Sequence, residues 1–294
     1  MILLKRVLIT GANSYVGTNV ENWLMREPDE YYVETLDMKD PNWKNFDFSK
    51  FDVVFHVAGI AHVSTKKSMK DLYFKINRDL TIETALKAKE SGVKQFIFMS
   101  SMIVYNSKET RITLETVPNP DNFYGLSKLQ AEEGIFPLQS KNFNITVLRP
   151  PVIYGVRSKG NFNSLIKFAI TTPFFPKYYN KKSVLYINNL CRYVEFYIEH
   201  NRKGVFFPQN LDTVSLYDII LSTRRAHAKH TLSTRLFNQM ISFISKISPK
   251  AKKIFGDRYY TTDTQNEDLP DYLECFDESI LDMFSRDNQD RKIL

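Results

Sequence analysis

A tyrosine and a lysine four residues apart are the first candidate chemical groups in the sequence. Tyr124 and Lys128 stand in the segment 122–128, and their spacing places both side chains on one face of a helix, one turn apart. An ammonium close to a phenol favours the phenolate and lowers a pKa that is ordinarily about 10. A tyrosine tuned in this way passes a proton near neutral pH, as a redox step at a carbon–oxygen bond requires. A packed tyrosine beside a solvated lysine has the same spacing, so the pair alone leaves both interpretations open.

Two serines stand about two dozen residues before this pair, at the end of a predicted strand. Residues 95–99 are a short apolar run typical of a buried parallel strand, and Ser100 and Ser101 follow it. Open α/β sheets bind their ligands at the carboxyl ends of the strands. The serines therefore belong where such a sheet places its reacting groups.

The N-terminus contains the pattern of a phosphate-binding turn. Residues 6–10 predict a buried strand, Gly11 and Gly17 bound a short turn, and residues 18–26 predict a helix. A strand, a glycine turn and a helix N-terminus together form a site where a pyrophosphate rests against backbone N–H groups. Ser14 stands where the pattern usually has a middle glycine, but a small hydroxyl still allows close approach and can donate to a phosphate.

An acidic residue ends the second predicted strand. Asp37 follows residues 32–36 and stands twenty positions after Gly17, where a carboxylate grips the ribose diol of a dinucleotide. A surface acid or a helix cap would look the same in the sequence. A carboxylate at this point repels a 2′-phosphate and so favours NAD over NADP, although the nearby Lys39 leaves NADP open.

The alternation of elements predicts the fold class. Predicted strands at 51–56, 95–99 and 144–148 alternate with helices at 71–90 and 122–136. Such alternation predicts an α/β protein with a doubly wound parallel sheet, the Rossmann arrangement, and a smaller C-terminal substrate-binding region. We assign residues 1–160 to an NAD(P)-binding domain and residues 161–294 to the substrate-binding region, partly woven back into the first domain.

Two further predictions concern the buried face of the helix at 71–90 and the role of two histidines. The 71–90 helix is expected to turn Leu72, Ile76 and Leu80 inward. His56 and His62 lack a partner carboxylate or cysteine at a suitable spacing, so we interpret both as structural and predict no metal site.

Composition describes an ordinary globular protein. The chain has 294 residues, of which 43% are hydrophobic and 25% are charged, which argues against a disordered or fibrous protein. The two cysteines, Cys191 and Cys275, form neither a disulfide framework nor a metal-binding spacing. The sequence shows no signal peptide and no apolar run of membrane-spanning length, so a cytoplasmic location is expected.

Positive charge is concentrated in residues 222–258, which carry nine lysines and arginines against one acid, Asp257. Within this segment residues 233–247 have an amphipathic helical pattern, and a basic amphipathic helix can lie on an anionic membrane surface. We favour a helix that docks its apolar face on the protein or on a second subunit, with weak membrane-surface contact as the alternative. No nucleic-acid reading motif accompanies the charges, so nucleic-acid binding is not predicted. The apolar residues of the pattern are Leu236, Phe237, Met240, Ile241, Ile244 and Ile247.

Taken in order, these motifs resemble the extended short-chain dehydrogenase/reductase family, in its branch of nucleotide-sugar epimerases, dehydratases and reductases. Within that branch the chain is similar to enzymes of bacterial surface-polysaccharide synthesis. The resemblance is close to about Gly155 and looser to about Asn210. Each motif is weak alone, whereas the ordered set is specific. The matching segments are residues 10–17, Asp37, 52–59, Asn77, 99–105, 124–128 and 149–155.

The resemblance implies roles for individual residues. Tyr124 would exchange a proton with the substrate, Lys128 would hold the nicotinamide ribose and lower the pKa of Tyr124, and Ser101 would hydrogen-bond the reacting sugar oxygen. Asn161 and Lys182 would also contact the substrate. The implied cofactor is NAD, with NADP not excluded. Its implied binding residues are Gly11, Asn13, Ser14, Tyr15, Val16, Gly17, Asp37, Val57, Ala58, Gly59, Asn77, Met99, Tyr124, Lys128, Pro151 and Val152.

The position after Ser101 separates reactions within this branch. Relatives that eliminate water across C5 and C6 of the sugar carry an Asp-Glu pair where this chain has Met102 and Ile103, which have no proton to exchange. The resemblance therefore implies oxidation–reduction at C4 of a nucleotide-linked sugar, with UDP the favoured nucleotide, by a 4-epimerase or a 4-keto-sugar reductase. Lys182 and Arg258 would meet the diphosphate, although a lysine supplies charge without the bidentate grip of an arginine.

The alternative from another class is a protein that senses a dinucleotide and has lost its chemistry. Intact Ser101, Tyr124 and Lys128 favour the enzyme, because a sensor needs none of them. The family commonly forms dimers through two long helices, so a homodimer is expected.

Overall fold

A computed structural model of the chain describes residues 4–61, 67–158, 161–236, 238–264 and 269–293. Strands and helices alternate over its first half, as the apolar pattern predicts. The strands are β1 (Lys5–Thr10), β2 (Tyr31–Leu36), β3 (Val53–His56), β4 (Gln95–Met99), β5 (Arg111–Ile112), β6 (Asn144–Leu148), β7 (Val152–Tyr154), β8 (Phe174–Pro176), β9 (Val184–Tyr186), β10 (Gly204–Phe206), β11 (Leu232–Thr234) and β12 (Tyr259–Tyr260).

Most helices connect the strands as crossovers, and two of them form a hairpin late in the chain. The helices are α1 (Tyr15–Leu24), α2 (Lys70–Tyr73), α3 (Leu80–Glu90), α4 (Phe123–Ile135), α5 (Asn161–Thr171), α6 (Ile187–Glu199), α7 (Leu216–Ala226), α8 (Asn238–Ile247), α9 (Pro249–Phe255) and α10 (Phe276–Ile293).

Six strands form one parallel sheet in the order β10-β6-β4-β3-β1-β2. Val7 of β1, for example, pairs with Val33 of β2 on one side and with Val53 of β3 on the other. Parallel neighbours need crossover connections, and helices supply them on both faces of the sheet. The predicted doubly wound α/β fold is confirmed.

The sheet is covered by one layer of helices on each face. Successive side chains of a strand point to opposite faces, so Val7 and Ile9 pack with residues of α1 and α6, whereas Leu8 packs with residues of α3 and α4. All three side chains are fully buried. This explains why the strands read as continuous apolar runs rather than as alternating ones.

Strand order reverses at β1, because β2 lies on one side of it and β3 on the other. Doubly wound sheets bind ligands at the carboxyl ends of the strands around such a reversal. Gly11 follows β1, and its N–H donates to the Leu36 carbonyl at the end of β2 at 2.9 Å. The glycine loop is therefore at the position where this fold binds its ligands.

The helix predicted over 71–90 is present, but the inward face assigned to it is wrong in part. Leu72 is 40% exposed, and Ile76 and Leu80 are half-buried. A π-helical segment, Phe74–Asp79, lies between α2 and α3 and shifts the helical register. Small and polar side chains form the buried face because α3 packs closely against α4. The buried residues are Tyr73, Asn77, Thr81, Thr84, Ala85 and Ala88.

The C-terminal part of the chain contributes to the first sheet as well. β10 pairs in parallel with β6 at the edge of the sheet, and three separate two-stranded pairs join β7 to β9, β8 to β11 and β5 to β12. One hydrophobic cluster contains Val7 and Ile9 together with Tyr186 and Ile280. The division at residue 160 stays a prediction.

The amphipathic segment of 233–247 does not dock its apolar face on the body of the protein, so that part of the prediction is wrong. Residues 232–234 pair with β8 as β11, and the helix begins at Asn238. Among the residues of the pattern that the structure describes, Ile241 is buried, whereas Leu236 and Ile247 are 84% and 67% exposed. The physical reason is that α8 packs against α9 in a hairpin. Phe237 lies outside the described residues.

Membrane-spanning helices were not predicted. Within the described segments, no helix has both the length and the apolar character needed to cross a bilayer.

Candidate active site

The glycine loop after β1 has the close contacts of a pyrophosphate-binding turn. Gly11 has a φ of +107°, and a Cβ there would lie 2.8 Å from the Ala58 nitrogen, so a side chain does not fit. Asn13 adopts a left-handed φ of 62°, which asparagine tolerates. Ser14 is the N-cap of α1 and accepts a hydrogen bond from the Gly17 N–H at 3.1 Å. The loop thus leads into the first turn of a helix, whose free N–H groups bind anions.

The two residues that follow Ser14 continue this cradle. Tyr15 and Val16 form the first turn of α1, and both are half-buried. The Tyr15 hydroxyl is buried without a hydrogen-bond partner in the described part of the chain, and it lies so near Gly155 that a Cβ there would be 2.7 Å from it. Val57 and Ala58, after β3, close the other side of the turn. The residues present therefore fit a dinucleotide.

Asp37 lies at the end of β2, next to the strand residue that holds the glycine loop. Its side chain is exposed, and Oδ1 accepts a hydrogen bond from the Lys39 N–H at 3.0 Å. A carboxylate with free lone pairs at this point suits a ribose diol. The assignment to the adenine ribose stays a prediction.

Replacing this carboxylate tests which dinucleotide the site prefers. Because Asp37→Ser removes the ribose acceptor and the repulsion of a 2′-phosphate, we expect the ratio of NAD to NADP affinity to fall by about 10- to 100-fold. Calorimetric titration of both dinucleotides measures the ratio. The matched control is Asp29→Ser, an exposed acid in the turn before β2. An unchanged ratio in Asp37→Ser would remove the residue from the cofactor site.

Asn77 braces the segment after β3 against the helix that carries the candidate catalytic pair. Its Oδ1 accepts from the Ile60 N–H at 2.8 Å, and its Nδ2 donates to the Ile60 carbonyl at 3.0 Å and to Ser127 Oγ at 3.2 Å. A Cβ on Gly59 would lie 3.0 Å from Asn77 Oδ1 and 3.5 Å from Lys128 Nζ. Glycine therefore allows the main chain to approach the lysine closely.

Helix α4 brings Tyr124 to the loop that contains Ser101. Asn122 caps the helix by accepting a hydrogen bond from the Gly125 N–H at 2.9 Å. Gly125 has no room for a side chain, because a Cβ there would collide with the Ile103 carbonyl oxygen. The Ser101 side chain in turn hydrogen-bonds the Tyr124 phenol. The first turn of α4 and the loop after β4 thus lie against each other and bring the hydroxyls of Ser101 and Tyr124 together.

The acidity expected of Tyr124 is not found in the protein alone, and this correction has a clear cause. Burial raises the pKa of Tyr124 to about 12, the neighbouring Tyr73 acts in the same direction, and the hydrogen bond with Ser101 acts against them. The prediction that Lys128 lowers this pKa below its ordinary value is therefore wrong for the protein by itself. At neutral pH Tyr124 is a neutral phenol, the form that donates a proton.

Lys128 is held beneath the site rather than in solvent. Its ammonium donates a hydrogen bond to the Met99 carbonyl oxygen at 2.8 Å and lies 4.6 Å from the centre of the Phe98 ring. Burial lowers the pKa of Lys128 to about 8, and the Glu132 carboxylate acts in the opposite direction. The Met99 carbonyl and the Phe98 ring thus fix the position of the ammonium, which still carries its charge at neutral pH.

Sequence reasoning missed a buried ion pair behind this lysine. Arg149 and Glu132 form a salt bridge of 2.5 Å between side chains that are 10% and 1% exposed. Arg149 also donates to Tyr105 Oη at 2.8 Å, and Ser100 donates to the Glu132 carboxylate. A signal existed: Glu132 follows Lys128 by four residues on the helix face that also carries Tyr124.

The residues expected around the substrate diphosphate are brought together, but they are engaged differently than expected. Lys182 lies beside Arg258 in a parallel β-bridge, and its N–H donates to the Val214 carbonyl at 2.9 Å. Its substrate role, like that of Asn161 at the start of α5, stays a prediction. The Arg258 guanidinium instead holds the loop after Ser101 by donating to three of its carbonyl oxygens. These belong to Met102, Tyr105 and Asn106.

The remaining predicted positions differ in exposure. Pro151 is buried after β6, whereas Val152 is 58% exposed. His56 is fully buried and hydrogen-bonds Thr10 at 2.7 Å and Thr81 at 3.0 Å, and burial lowers its pKa to about 3. It is a neutral core histidine, as interpreted from the sequence. His62 lies outside the described residues.

A glycine loop at the reversal of a parallel sheet, with a serine, a tyrosine and a lysine gathered beside it, defines a nicotinamide-dinucleotide-dependent protein of the short-chain dehydrogenase/reductase type. The family described as "NAD dependent epimerase/dehydratase family" matches residues 7–204. The chain belongs to this family, in its extended short-chain branch, and is an enzyme of the nucleotide-sugar epimerase and reductase class. Its cofactor is a nicotinamide dinucleotide.

Individual relatives agree with this assignment. A UDP-glucose 4-epimerase of Vibrio cholerae is 32% identical over 243 residues, which cover 74% of each chain. The N-acetyl-alpha-D-glucosaminyl-diphospho-ditrans,octacis-undecaprenol 4-epimerase of Escherichia coli O157:H7 is 29% identical over 216 residues, covering 67% of this chain and 64% of that protein. A UDP-glucuronic acid 4-epimerase of Bacillus cereus, solved in complex with NAD, superposes with a TM-score of 0.74 at 19% identity over 98% of each chain. That likeness shows the fold.

Proposed function

We propose that this protein carries out oxidation–reduction at C4 of a UDP-linked sugar, as a 4-epimerase or a 4-keto-sugar reductase for surface polysaccharide synthesis. The observation that carries the proposal is the convergence of Ser101, Tyr124 and Lys128 beside the glycine loop. The three groups come from two elements, the loop after β4 and α4, and Gly125 has no room for a side chain where those two elements meet. Gly59, after β3, leaves room beside Lys128. The relatives named as UDP-sugar 4-epimerases support the substrate class.

The residues divide the chemistry at C4 between them. The dinucleotide, when bound, supplies or accepts the hydride at the sugar carbon. Tyr124 gives a proton to the C4 oxygen as a carbonyl becomes an alcohol, and it takes that proton back in the reverse direction. Ser101 donates a hydrogen bond to the same oxygen and so stabilises the charge that develops on it. Lys128, whose ammonium lies 3.5 Å from where a Cβ of Gly59 would be, would hold the nicotinamide ribose.

The loop after Ser101 supports this reaction against water elimination. Met102 is buried, and the carbonyl oxygen of Ile103 lies against Gly125 in the first turn of α4. Neither side chain can supply the second acid or base that removal of water across C5 and C6 requires. The proposed reaction is therefore oxidation–reduction at C4 without elimination of water.

The test uses the purified protein with whatever dinucleotide it retains. We expect interconversion of UDP-glucose or UDP-N-acetylglucosamine with the C4 epimer, read from the proton coupling constants of the sugar by NMR, without net consumption of dinucleotide. A reductase would instead consume reduced dinucleotide when it is given a 4-keto sugar nucleotide. If a folded, dinucleotide-loaded protein does neither with any of these substrates, the dinucleotide-sensing alternative is favoured.

A second candidate substrate is a sugar carried on a polyprenyl diphosphate rather than on UDP. The exposed apolar face of α8 favours it, because a protein that meets a lipid-linked substrate must work at a lipid surface. The Escherichia coli relative is named for such a substrate. Running the same assay with a polyprenyl-diphosphate-linked N-acetylhexosamine decides between the two carriers by their relative turnover.

A further inference from the structure

The hairpin of α8 and α9, residues 238–255, presents an apolar stripe on its outer side. Met240, Phe243 and Ile247 follow one another at intervals of three and four residues, which is one face of α8, and Leu236 stands just before the helix. Their exposed fractions are 53%, 66%, 67% and 84%, in that order. Single exposed apolar side chains are common on proteins, whereas a continuous stripe indicates an interaction surface.

Apolar exposure continues into the strands at the base of the hairpin. Leu232 of β11 and Phe174 of β8 are register partners, and they are 62% and 47% exposed. Ile254 in α9 is 50% exposed. The apolar surface therefore extends beyond one helix.

The hairpin is a built element fixed at its base. Asn238 donates to the Lys177 carbonyl at 2.9 Å where the hairpin begins, and Asn180 donates to the Gly256 carbonyl at 3.2 Å where it ends. The Phe255 ring packs edge-on against Tyr178, with 5.7 Å between the ring centres. Both ends are thus tied to the segment after β8, while no described residue covers the stripe.

Positive charge is concentrated in the segment that contains the stripe, residues 222–258. Three basic side chains of 222–258 hydrogen-bond to the main chain, since Arg224 donates to the Ala169 carbonyl at 2.9 Å, Lys229 donates to the Ile170 carbonyl at 3.0 Å, and Arg258 holds the loop after Ser101. Arg225 and Arg235, by contrast, are exposed. A second copy of the chain meeting this face symmetrically would bring like charges together. The charge suits an anionic partner.

We propose that the hairpin of α8 and α9 docks this protein on an anionic membrane surface, with the apolar stripe entering the lipid and the flanking basic residues contacting the headgroups. An apolar stripe flanked by lysines and arginines has the composition of a helix that lies in the plane of the membrane interface. The hairpin leads directly into Arg258, which holds the loop after Ser101. Docking therefore holds the candidate active site at the lipid surface, a consequence that rests on the proposed function.

Vesicle flotation of the whole protein tests the docking without any assay of activity. We expect the protein to float with vesicles containing phosphatidylglycerol, to remain unbound to vesicles of phosphatidylcholine alone, and to dissociate at high ionic strength. The double variant Phe243→Ser/Ile247→Ser should lower partitioning on the order of a hundredfold, because two apolar side chains no longer enter the lipid. Arg225→Glu/Arg235→Glu should lower it by about tenfold or more.

The matched control is Met25→Ser/Leu281→Ser, which replaces two side chains of similar exposure, 57% and 58%, outside the hairpin. Its partitioning should equal that of the parent, and all variants should keep the parent's thermal unfolding midpoint. Flotation of the Phe243→Ser/Ile247→Ser variant at the parental level would overturn the proposal, and so would equal binding to uncharged vesicles. A parent that does not float, with a dimer in sedimentation that this variant dissociates, would assign the stripe to a second copy instead.

Discussion

Replacing Tyr124 by phenylalanine is expected to lower turnover by about 10²- to 10⁴-fold, the usual contribution of a positioned acid–base group. The change removes one hydroxyl and leaves the ring that packs against Tyr73, at 5.7 Å between ring centres. Burial keeps this hydroxyl in its neutral, proton-donating form, and the substitution removes that proton donor. In the proposed mechanism Ser101 would still hydrogen-bond the substrate oxygen, but no group would exchange a proton with it.

The measurement compares turnover at saturating sugar nucleotide with the affinity for the dinucleotide. Affinity should stay near the parental value, because Lys128 and the glycine loop are untouched. Tyr179→Phe is the control, since it removes a phenol that is 58% exposed and outside the site. Activity of Tyr124→Phe within roughly threefold of the parent would contradict the assignment, given the size of effect that acid–base groups have.

The sheet and the cofactor loop were predictable because local sequence decides them. Residues 95–99 and 144–148 form strands with the predicted bounds, since a short, mostly apolar run is typical of a parallel strand that is buried on both faces. The glycine turn follows from steric demands on its own backbone. The convergence of Ser101 and Tyr124 at the carboxyl ends of the strands follows from topology.

Features decided by packing across the fold were not predictable in the same way. Leu72 was expected inward from helical spacing, yet the π-helical segment Phe74–Asp79 shifts the register between α2 and α3, and Leu72 is 40% exposed. The pKa of Tyr124 depends on how much water its surroundings exclude, which spacing does not reveal. The apolar stripe of α8 has the sequence pattern of a packed helix. Its exposure depends on how the hairpin of α8 and α9 is oriented on the protein, which the sequence does not reveal.

The ion pair between Glu132 and Arg149 is the missed feature with the largest expected effect on stability. Each charge is nearly removed from water, so each depends on the other for compensation. Glu132→Gln keeps the size and the hydrogen-bonding shape of the side chain but leaves the Arg149 guanidinium buried without a counter-charge. We expect the free energy of unfolding to fall by about 3–5 kcal/mol, as it does when one partner of a buried pair is removed.

Denaturant unfolding of the purified protein measures this change, with Glu133→Gln as the matched control. Glu133 is exposed on the same helix, so its replacement should alter stability by no more than about 0.5 kcal/mol. The double variant Glu132→Gln/Arg149→Met should recover much of the loss, because it removes the uncompensated charge rather than adding a contact.

Three outcomes would change this interpretation of the ion pair. If Glu132→Gln and Glu133→Gln have the same free energy of unfolding, the ion pair does not stabilise the protein. If the double variant is as unstable as Glu132→Gln, Arg149 stabilises the protein through Tyr105 and packing rather than through charge. A recovered fold with impaired turnover would instead show that the pair positions Lys128, four residues before Glu132 on the buried face of α4.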